Sequence, residues 1–456
     1  MFKASKAGKK ACVIGMGKSG IAAANLLARK NFRVLISDAQ KAAPGRNRLH
    51  KKVEVETGKH SDKVFDCDFI VKSPGVLPAS SVMQKAVKEK IPVYSEMEVA
   101  LSYLPKGCKV IAITGTNGKT TTVSLLSEIL KQHCRDRKNG KRVFTAGNIG
   151  VPLADSIGKI KSGDYIVLEV SSYQLEDSTY FKPNAGAVLN ITPDHIEHHG
   201  SFEKYIAAKK KIFEWQDKNG VGVINSGDET VLEHFTGLKG RIYYFATTPK
   251  HKRRAQVFYD GDEMIFSSDE RLKPPKLDGI HNIENAMAAA LIALSLGVKV
   301  LSVQKAFDRF KGVEHRIEKF LTHKGITCVD DSKSTNVDST ITALKALNGS
   351  KKIWLILGGQ HKGFPYTPLM PYIEKGCKAV LTIGEAEEVI ESDLSAFSNI
   401  IPCGAIEKAV KLAFKKGVKG DILLLSPACA SFDQFKNFEE RGRHFKHACR
   451  QAAKVV

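Results

Sequence analysis

The stretch Val110–Val123, VIAITGTNGKTTTV, decides how this chain is to be read. A short apolar run, Val110–Ile113, precedes Gly115, Thr116, Asn117, Gly118, Lys119, Thr120 and Thr121. Apolar residues then recur at Val123, Leu126, Ile129 and Leu130, the spacing of one helix face. The order is therefore strand, glycine-rich loop, helix. Glycines in such a loop let backbone N–H groups wrap a polyphosphate, and the helix N-terminus adds partial positive charge. Lys119 is placed to reach terminal phosphates, and the Thr120 hydroxyl to sit on Mg²⁺. The loop is shorter between its glycines than G-x-x-x-x-G-K-[ST], so it is a variant of that pattern. An ordinary βα turn would explain Gly115 and a capping threonine, but not Lys119 beside them.

The 456 residues exceed what one hydrophobic core supports, and two to four domains are expected. No apolar run spans a bilayer, and the N-terminal MFKASKAGKK lacks a signal core, which predicts a cytoplasmic protein without membrane insertion. Nine cysteines, none in C-x-x-C, fit a reducing compartment with free thiols. The net charge of +22 raises the question of nucleic acid. The basic residues are scattered, however, with local clusters at 131–142 (KQHCRDRKNGKR) and 250–254 (KHKRR), and no aromatic-interleaved RNA-binding motif appears. A solvated basic surface that favours small anionic substrates is the expectation, with no nucleic-acid partner and a monomeric chain.

Working outward, the first segment opens with a strand at Ala11–Ile14, then Gly15-Met16-Gly17-Lys18-Ser19-Gly20, then a helical face of Ile21, Ala24 and Leu27. A second strand ends at Asp38, the distance at which a dinucleotide fold keeps its ribose-binding acid. Phe69–Val76 (FIVKSPGV) ends in a turn, a helix follows at 80–89 and a strand at Ile91–Tyr94, and Pro105-Lys106-Gly107 reads as a linker. After the glycine loop come strands at Tyr165–Val170 and Ala185–Ile191. Strand-like runs follow at 221–225, 240–245 and 255–267, then an Ala-rich helix at 282–296. The third segment starts near Lys311–Arg316, with strands at 326–330, 352–357, 378–383, 399–402 and 421–425. Alternating strands and helices predict an α/β chain with mainly parallel sheets, whose ligands lie at strand C-termini.

Lys119, Glu169 and His195 all fall at such ends. Glu169 is a candidate Mg²⁺ ligand or a capping acid, and His195 a ligand or a structural histidine. The string DHIEHH (194–199) has the look of a zinc site, but no Cys or further His lies at supporting spacing. In the third segment Arg316, Lys333 and Lys362 suggest closure over an anionic substrate, with surface lysines as the plainer reading; the glycines of LGGQHKG favour Lys362.

Taken together, GTNGKTT, GNIG, LEVSSYQLE, NITPDH, YIAAKKKIF, GIHNIENAMAA, GVEHRIE, DDSKSTN, LGGQHKG and SPACASFDQFKNFEERG resemble the Mur ligases end to end and in order, closest to the branch that adds D-glutamate. The D-N-P-R signature of the diaminopimelate-adding branch is missing. The resemblance implies three domains: a Rossmann-like UDP-binding domain (1–106), a central P-loop-type ATPase (107–312) and a C-terminal Rossmann-like amino-acid-binding domain (313–456). It implies ATP-dependent addition of D-glutamate to UDP-N-acetylmuramoyl-L-alanine through an acyl phosphate, in peptidoglycan precursor synthesis. It also implies hinge closure of the third domain.

By position, the resemblance assigns ATP to Gly115, Thr116, Asn117, Gly118, Lys119, Thr120, Thr121, Asn285, Arg316 and Asp331. Two Mg²⁺ ions fall to Thr120, Glu169, His195 and Lys209, the last as a CO₂-derived carbamate; otherwise Lys209 is a solvated helix lysine. Lys119, Glu169, His195 and Lys209 form the catalytic set. The UDP-linked substrate falls to Gly15, Gly17, Ser37, Asp38, Ser73, Gly75, Asn148 and Ser171, and D-glutamate to Lys333, Thr335, Lys362, Ser431 and Phe438. Two departures stand out. Glu197-His198 replaces the family's usual Asp-Arg, and Phe432 replaces a leucine, which is expected to narrow the glutamate pocket. Two rival classes remain, a nucleotide-dependent regulatory module and an NAD-dependent oxidoreductase.

Overall fold

A computed structural model of the chain describes residues 9–41, 45–148, 150–248, 250, 255–347 and 351–455. The MFKASKAG start, Ile149 of GNIG and residues 251–254 of the KHKRR cluster lie outside the described residues.

Among the described residues the strands form three sheets. The first contains β1 (Lys10–Ile14), β2 (Arg33–Asp38), β3 (Val53–Thr57), β4 (Phe69–Lys72) and β5 (Val93–Ser95), in the order β3-β2-β1-β4-β5. Every pairing in it is parallel.

The second contains β6 (Lys109–Thr114), β7 (Val143–Gly147), β8 (Tyr165–Glu169), β9 (Ala185–Val188), β10 (Val221–Asn225), β11 (Arg241–Ala246), β12 (Val257–Tyr259), β13 (Met264–Phe266) and β14 (Arg271–Leu272). Its order is β14-β13-β12-β11-β10-β9-β6-β8-β7. The sheet is parallel from β7 to β12 and turns antiparallel only at β12–β13–β14. The strand-like run 255–267 is thus two strands, because Gly261 with φ +115° folds it into a hairpin.

The third sheet contains β15 (Glu318–His323), β16 (Ile326–Asp330), β17 (Ile353–Gly358), β18 (Cys377–Ile383), β19 (Ile400–Gly404) and β20 (Ile422–Leu425), ordered β15-β16-β20-β17-β18-β19. Its antiparallel edge, β15, went unread in the sequence because Glu318–His323 is only half-buried and mixes charge with apolar residues.

The chain divides into two compact units: residues through Pro275 with Ile283–Phe310, and Lys276–Asn282 with Lys311–Val456. In the first unit, β8 is buried along its whole length, as a strand covered on both faces must be. The helices Lys119–Arg137 and Ile280–Ser295 supply one cover. The helix Phe202–Glu214 supplies the other, joined there by Ala22 and Leu26 of the first sheet's helix Lys18–Arg29. Helix packing thus unites the first two sheets.

Polar contacts finish that seam. Lys72 Nζ lies 2.8 Å from Asp177 Oδ2, with side chains 1% and 10% exposed, and donates to Val76 O at 2.8 Å. Glu96 Oε1 accepts from Ala154 N at 2.7 Å, and Glu98 Oε2 from Thr179 N at 2.9 Å. Burial pushes Glu96 up to about 7 and Asp177 up to about 6, the latter despite Lys72. In the second unit, apolar clusters cover both faces of the third sheet. All nine cysteines are free, and among the described residues no helix is long and apolar enough to cross a membrane.

Candidate active site

Strand order places β6 between β8 and β9, so the glycine loop, Glu169 and the segment from Leu189 to His195 leave the second sheet side by side. Gly118 holds φ +85° at the N-cap of the helix Lys119–Arg137, a left-handed conformation that a β-carbon disfavours. The loop is cross-tied to the β9 segment. Asn117 N donates to Asn190 Oδ1 at 2.8 Å, and Asn190 Nδ2 donates back to Asn117 O at 3.1 Å. Thr116 Oγ1 accepts from Thr192 N at 3.0 Å and lies 2.9 Å from the Tyr205 hydroxyl. Asn190 of NITPDH and Tyr205 of YIAAKKKIF have no role assigned from sequence; a polar side chain at a strand end and one on a buried helix face are the signal there.

Two lysines converge on one carbonyl. Lys119 Nζ donates to Gly115 O at 2.8 Å and Thr116 O at 2.7 Å, and Lys209 Nζ donates to Gly115 O at 2.9 Å. Lys209 is 1% exposed, which overturns the reading of a solvated helix lysine. Its helix presents the Ile206, Lys209 and Ile212 face inward, and the ammonium lies 4.6 Å from the Tyr205 ring centre. Burial, and then the like charge of Lys119, hold the Lys209 amine well below the ordinary lysine range.

Glu169 closes β8 at 1% exposure. Its Oε2 accepts from Thr120 Oγ1 at 2.8 Å and its Oε1 from Asn148 Nδ2 at 3.0 Å. His195 holds φ +55° at the start of the helix Ile196–His199; its Nε2 lies 3.6 Å from Asp194 Oδ2 and its ring 4.9 Å from that of Tyr173. A buried carboxylate and a threonine hydroxyl thus meet at the start of the helix that follows the glycine loop, and such oxygen donors fit Mg²⁺. Asn285, on the helix Ile280–Ser295, accepts from Thr122 Oγ1 at 3.1 Å and so abuts the loop. Ser171 caps the helix Ser172–Glu176 in a reciprocal box with Gln174.

In the first sheet the loops after β1 and β4 lie together. Ser73 Oγ donates to Gly15 O at 3.0 Å, and a β-carbon at Gly20 would come within 2.0 Å of that same oxygen. Gly17 is the N-cap of the helix Lys18–Arg29, and Gly75 is exposed. Asp38 accepts from Met16 N at 2.6 Å and Gln40 N at 2.8 Å, so its carboxylate shapes the loop itself. Ser37 is fully buried, with its hydroxyl on Glu56 Oε2 at 2.7 Å and His60 Nδ1 at 2.8 Å, and that side chain secures the strand end.

In the second unit the ends of β16, β20 and β17 are neighbours. Asp331 is buried and accepts from Ser426 Oγ at 2.8 Å and Ile317 N at 3.2 Å; burial lifts it to about 6 against the pull of Arg316. Arg316 Nε is buried and makes no hydrogen bond among the described residues, which suits an anion acceptor. Lys333 Nζ lies 5.2 Å from the Phe438 ring centre, while Ser431 is buried and Thr335 and Lys362 are half-buried. Phe432 is 68% exposed, so the expectation that it narrows a pocket is corrected: its side chain faces solvent.

A residue without an assigned role holds these loops. Arg441, fully buried, donates to Ser332 O at 2.8 Å, Ala430 O at 3.1 Å and Cys429 O at 3.1 Å. Burial lowers its guanidinium to about 10. An arginine within FEERG reads as a surface residue from sequence, because only the fold reveals the carbonyls it meets.

Comparison with known proteins gives three family matches: a Mur ligase MurD-like N-terminal domain over residues 9–95, a Mur ligase middle domain over 113–293, and a Mur ligase glutamate ligase domain over 315–429. The chain is 58% identical over 448 residues to the UDP-N-acetylmuramoylalanine–D-glutamate ligase of Elusimicrobium minutum, covering 98% of this chain and 99% of that protein. It is 42% identical to the protein of the same name from Koribacter versatilis, covering 98% of each. In fold it is similar to the MurF ligase of Thermotoga maritima solved in complex with ADP, with a TM-score of 0.63, 18% identity, and 100% and 97% of the two chains covered.

Proposed function

This chain belongs to the Mur ligase family, and from that premise we infer that it joins D-glutamate to UDP-N-acetylmuramoylalanine at the expense of ATP. The observation that carries the reading is the 58% identity to a ligase of that name across essentially both chains. The loop, carboxylate and buried lysine of the second sheet support it.

A carboxylate acylates amines poorly, whereas an acyl phosphate has a good leaving group. The reaction transfers the γ-phosphoryl group of ATP to the substrate carboxylate, releasing ADP. The D-glutamate amine then attacks the acyl carbon, the amide C–N bond forms, and phosphate leaves. In phosphoryl transfer most of the catalysis is positioning and charge neutralisation. Lys119 neutralises phosphate oxygens, and Gly115–Thr121 cradle them with backbone N–H groups. Thr120 and Glu169, with His195 and a carbamylated Lys209, would hold Mg²⁺, which when bound offsets phosphate charge as a Lewis acid.

Lys209 is suited to carbamylation, because only the neutral amine adds to CO₂ and both burial and Lys119 favour that form. The product, R-NH-COO⁻ with release of a proton, replaces a cation by an oxygen ligand. Asn285 abuts adenine, and Arg316 and Asp331 address nucleotide. Lys333, Thr335, Lys362, Ser431 and Phe438 take D-glutamate. Gly15, Gly17, Asp38, Ser73, Gly75, Asn148 and Ser171 serve the UDP-linked substrate. The domain roles fall to residues 1–106, 107–312 and 313–456, in a monomer working in the cytoplasm.

The test supplies the purified chain with ATP, Mg²⁺, UDP-N-acetylmuramoyl-L-alanine and, in turn, D-glutamate, L-glutamate, L-lysine or diaminopimelate, and measures phosphate. Release with D-glutamate alone is expected. Equal release with all four would overturn the assignment.

A further inference from the structure

The helices Ser172–Glu176 and Ile196–His199 bring together three side chains that the ligase reaction does not use. His198 Nε2 lies 2.8 Å from Glu176 Oε2, and His199 Nδ1 lies 3.2 Å from Glu176 Oε1. One ligand atom from each residue falls within 4.8 Å of the others. The His199 and His198 side chains are 0% and 7% exposed, and Glu176 is 28% exposed. DHIEHH therefore does have a supporting ligand. It comes from the end of LEVSSYQLE, a carboxylate too distant in sequence for spacing to show.

We propose that Glu176, His198 and His199 form a binding site for a zinc-class divalent cation that staples these two helices beside His195. Two imidazoles and a carboxylate are the donor set of many zinc sites whose fourth position is open to water. Imidazole nitrogen favours Zn²⁺, Co²⁺ or Ni²⁺ over Mg²⁺, which prefers an all-oxygen shell. The outer contacts are also present. His199 Nε2 lies 3.0 Å from Ser172 Oγ, the kind of hydrogen bond that fixes a ligating ring's orientation. The Tyr173 ring stacks on His199 at 5.6 Å and meets His198 edge-on at 4.1 Å. Lys211 Nζ donates to the Glu176 carbonyl and not to its carboxylate, and Lys72 is engaged with Asp177, so neither ammonium occupies the cluster.

A second cluster, Glu314, His315 and Glu318, makes the contrast. There Lys446 Nζ lies 2.7 Å from Glu318 and 3.2 Å from Glu314 and already serves as the cation.

The experiment strips the full-length protein with a chelator, desalts it, saturates it with Mg²⁺ and titrates in Co²⁺. One equivalent with the intense visible d–d bands of a tetrahedral ion is expected, and Zn²⁺ should bleach them. His198→Arg keeps a hydrogen-bond donor opposite Glu176 but removes a ligand. It should weaken Co²⁺ binding by more than about 100-fold, beyond the 10–100-fold typical of outer contacts. X-ray absorption on the Zn²⁺-loaded wild type should show two imidazoles, a readout that does not depend on the variant folding. Absent bands, an H198R titration equal to wild type, or a zinc shell with fewer than two imidazoles would overturn the proposal.

Discussion

Replacing Gly118 by alanine adds one methyl group at a position where the chain has no room for it. The residue holds φ +85°, and the added carbon would lie 2.2 Å from Asn285 Oδ1 and 3.2 Å from Leu189 Cδ1. A left-handed non-glycine residue costs about 1 kcal/mol. Asn285 must also withdraw, which breaks its 3.1 Å bond from Thr122 Oγ1 and strands a buried hydroxyl, about 1–3 kcal/mol more. The expected loss is about 2–4 kcal/mol, or roughly 4–8 °C in Tm at about 2 °C per kcal/mol for a large domain. KM for ATP should rise with it. The assay is thermal unfolding of Gly118→Ala, Asn285→Ala and the double variant. With Asn285 truncated the methyl group has space, so Gly118→Ala should then cost only its backbone term of about 1 kcal/mol. An equal cost in both backgrounds would refute the claim that Asn285 is what forbids a side chain there.

Glu96→Gln should stabilise the fold in a pH-dependent way. Because burial raises Glu96 from 4.5 to about 7, the folded state keeps a proton that the unfolded chain releases. Its contribution is therefore intact below the unfolded value and is lost as pH rises through the folded one. The loss by about pH 8 is about 3 kcal/mol; after about 1 kcal/mol for the new unpaired amide donors, the glutamine variant should gain about 2 kcal/mol at pH 8 and lose about 1 kcal/mol at pH 4. Denaturant titrations showing the same difference at both pH values would count against this. Lys72→Met should cost about 3–5 kcal/mol, because Asp177 loses its partner at a buried seam and must either stay charged there or take up a proton, and Asp177→Asn added to it should recover part of that. A Lys72→Met protein as stable as wild type in urea would mean that the pair does not hold the first two sheets together.

What was legible in the sequence was whatever depends on neighbours along the chain. The strand, glycine loop and helix of Val110–Val123 were read correctly because periodicity and turn chemistry are local, and the alternation of elements carried the α/β class. The burial of Lys209 lay beyond local reading: YIAAKKKIF offers three consecutive lysines, and only the packing of the helix Phe202–Glu214 selects the one that turns inward. The partners of Ser37 lay beyond it too, since a serine at a strand end gives no sign in the sequence that Glu56 and His60 meet its hydroxyl. The pairing of Glu176 with His198 and His199 crosses 22 and 23 residues and depends on where β8 and β9 end.

Arg441 has a consequence for anyone who would re-engineer amino-acid choice by loop exchange. A graft of 426–437 from a relative with another specificity carries the Cys429 and Ala430 carbonyls, but the guanidinium that receives them grows from the helix Phe438–Val455 outside the graft. The donor loop would be anchored only as well as the recipient helix happens to aim. The transplantable piece is therefore loop and helix together, residues 426–455.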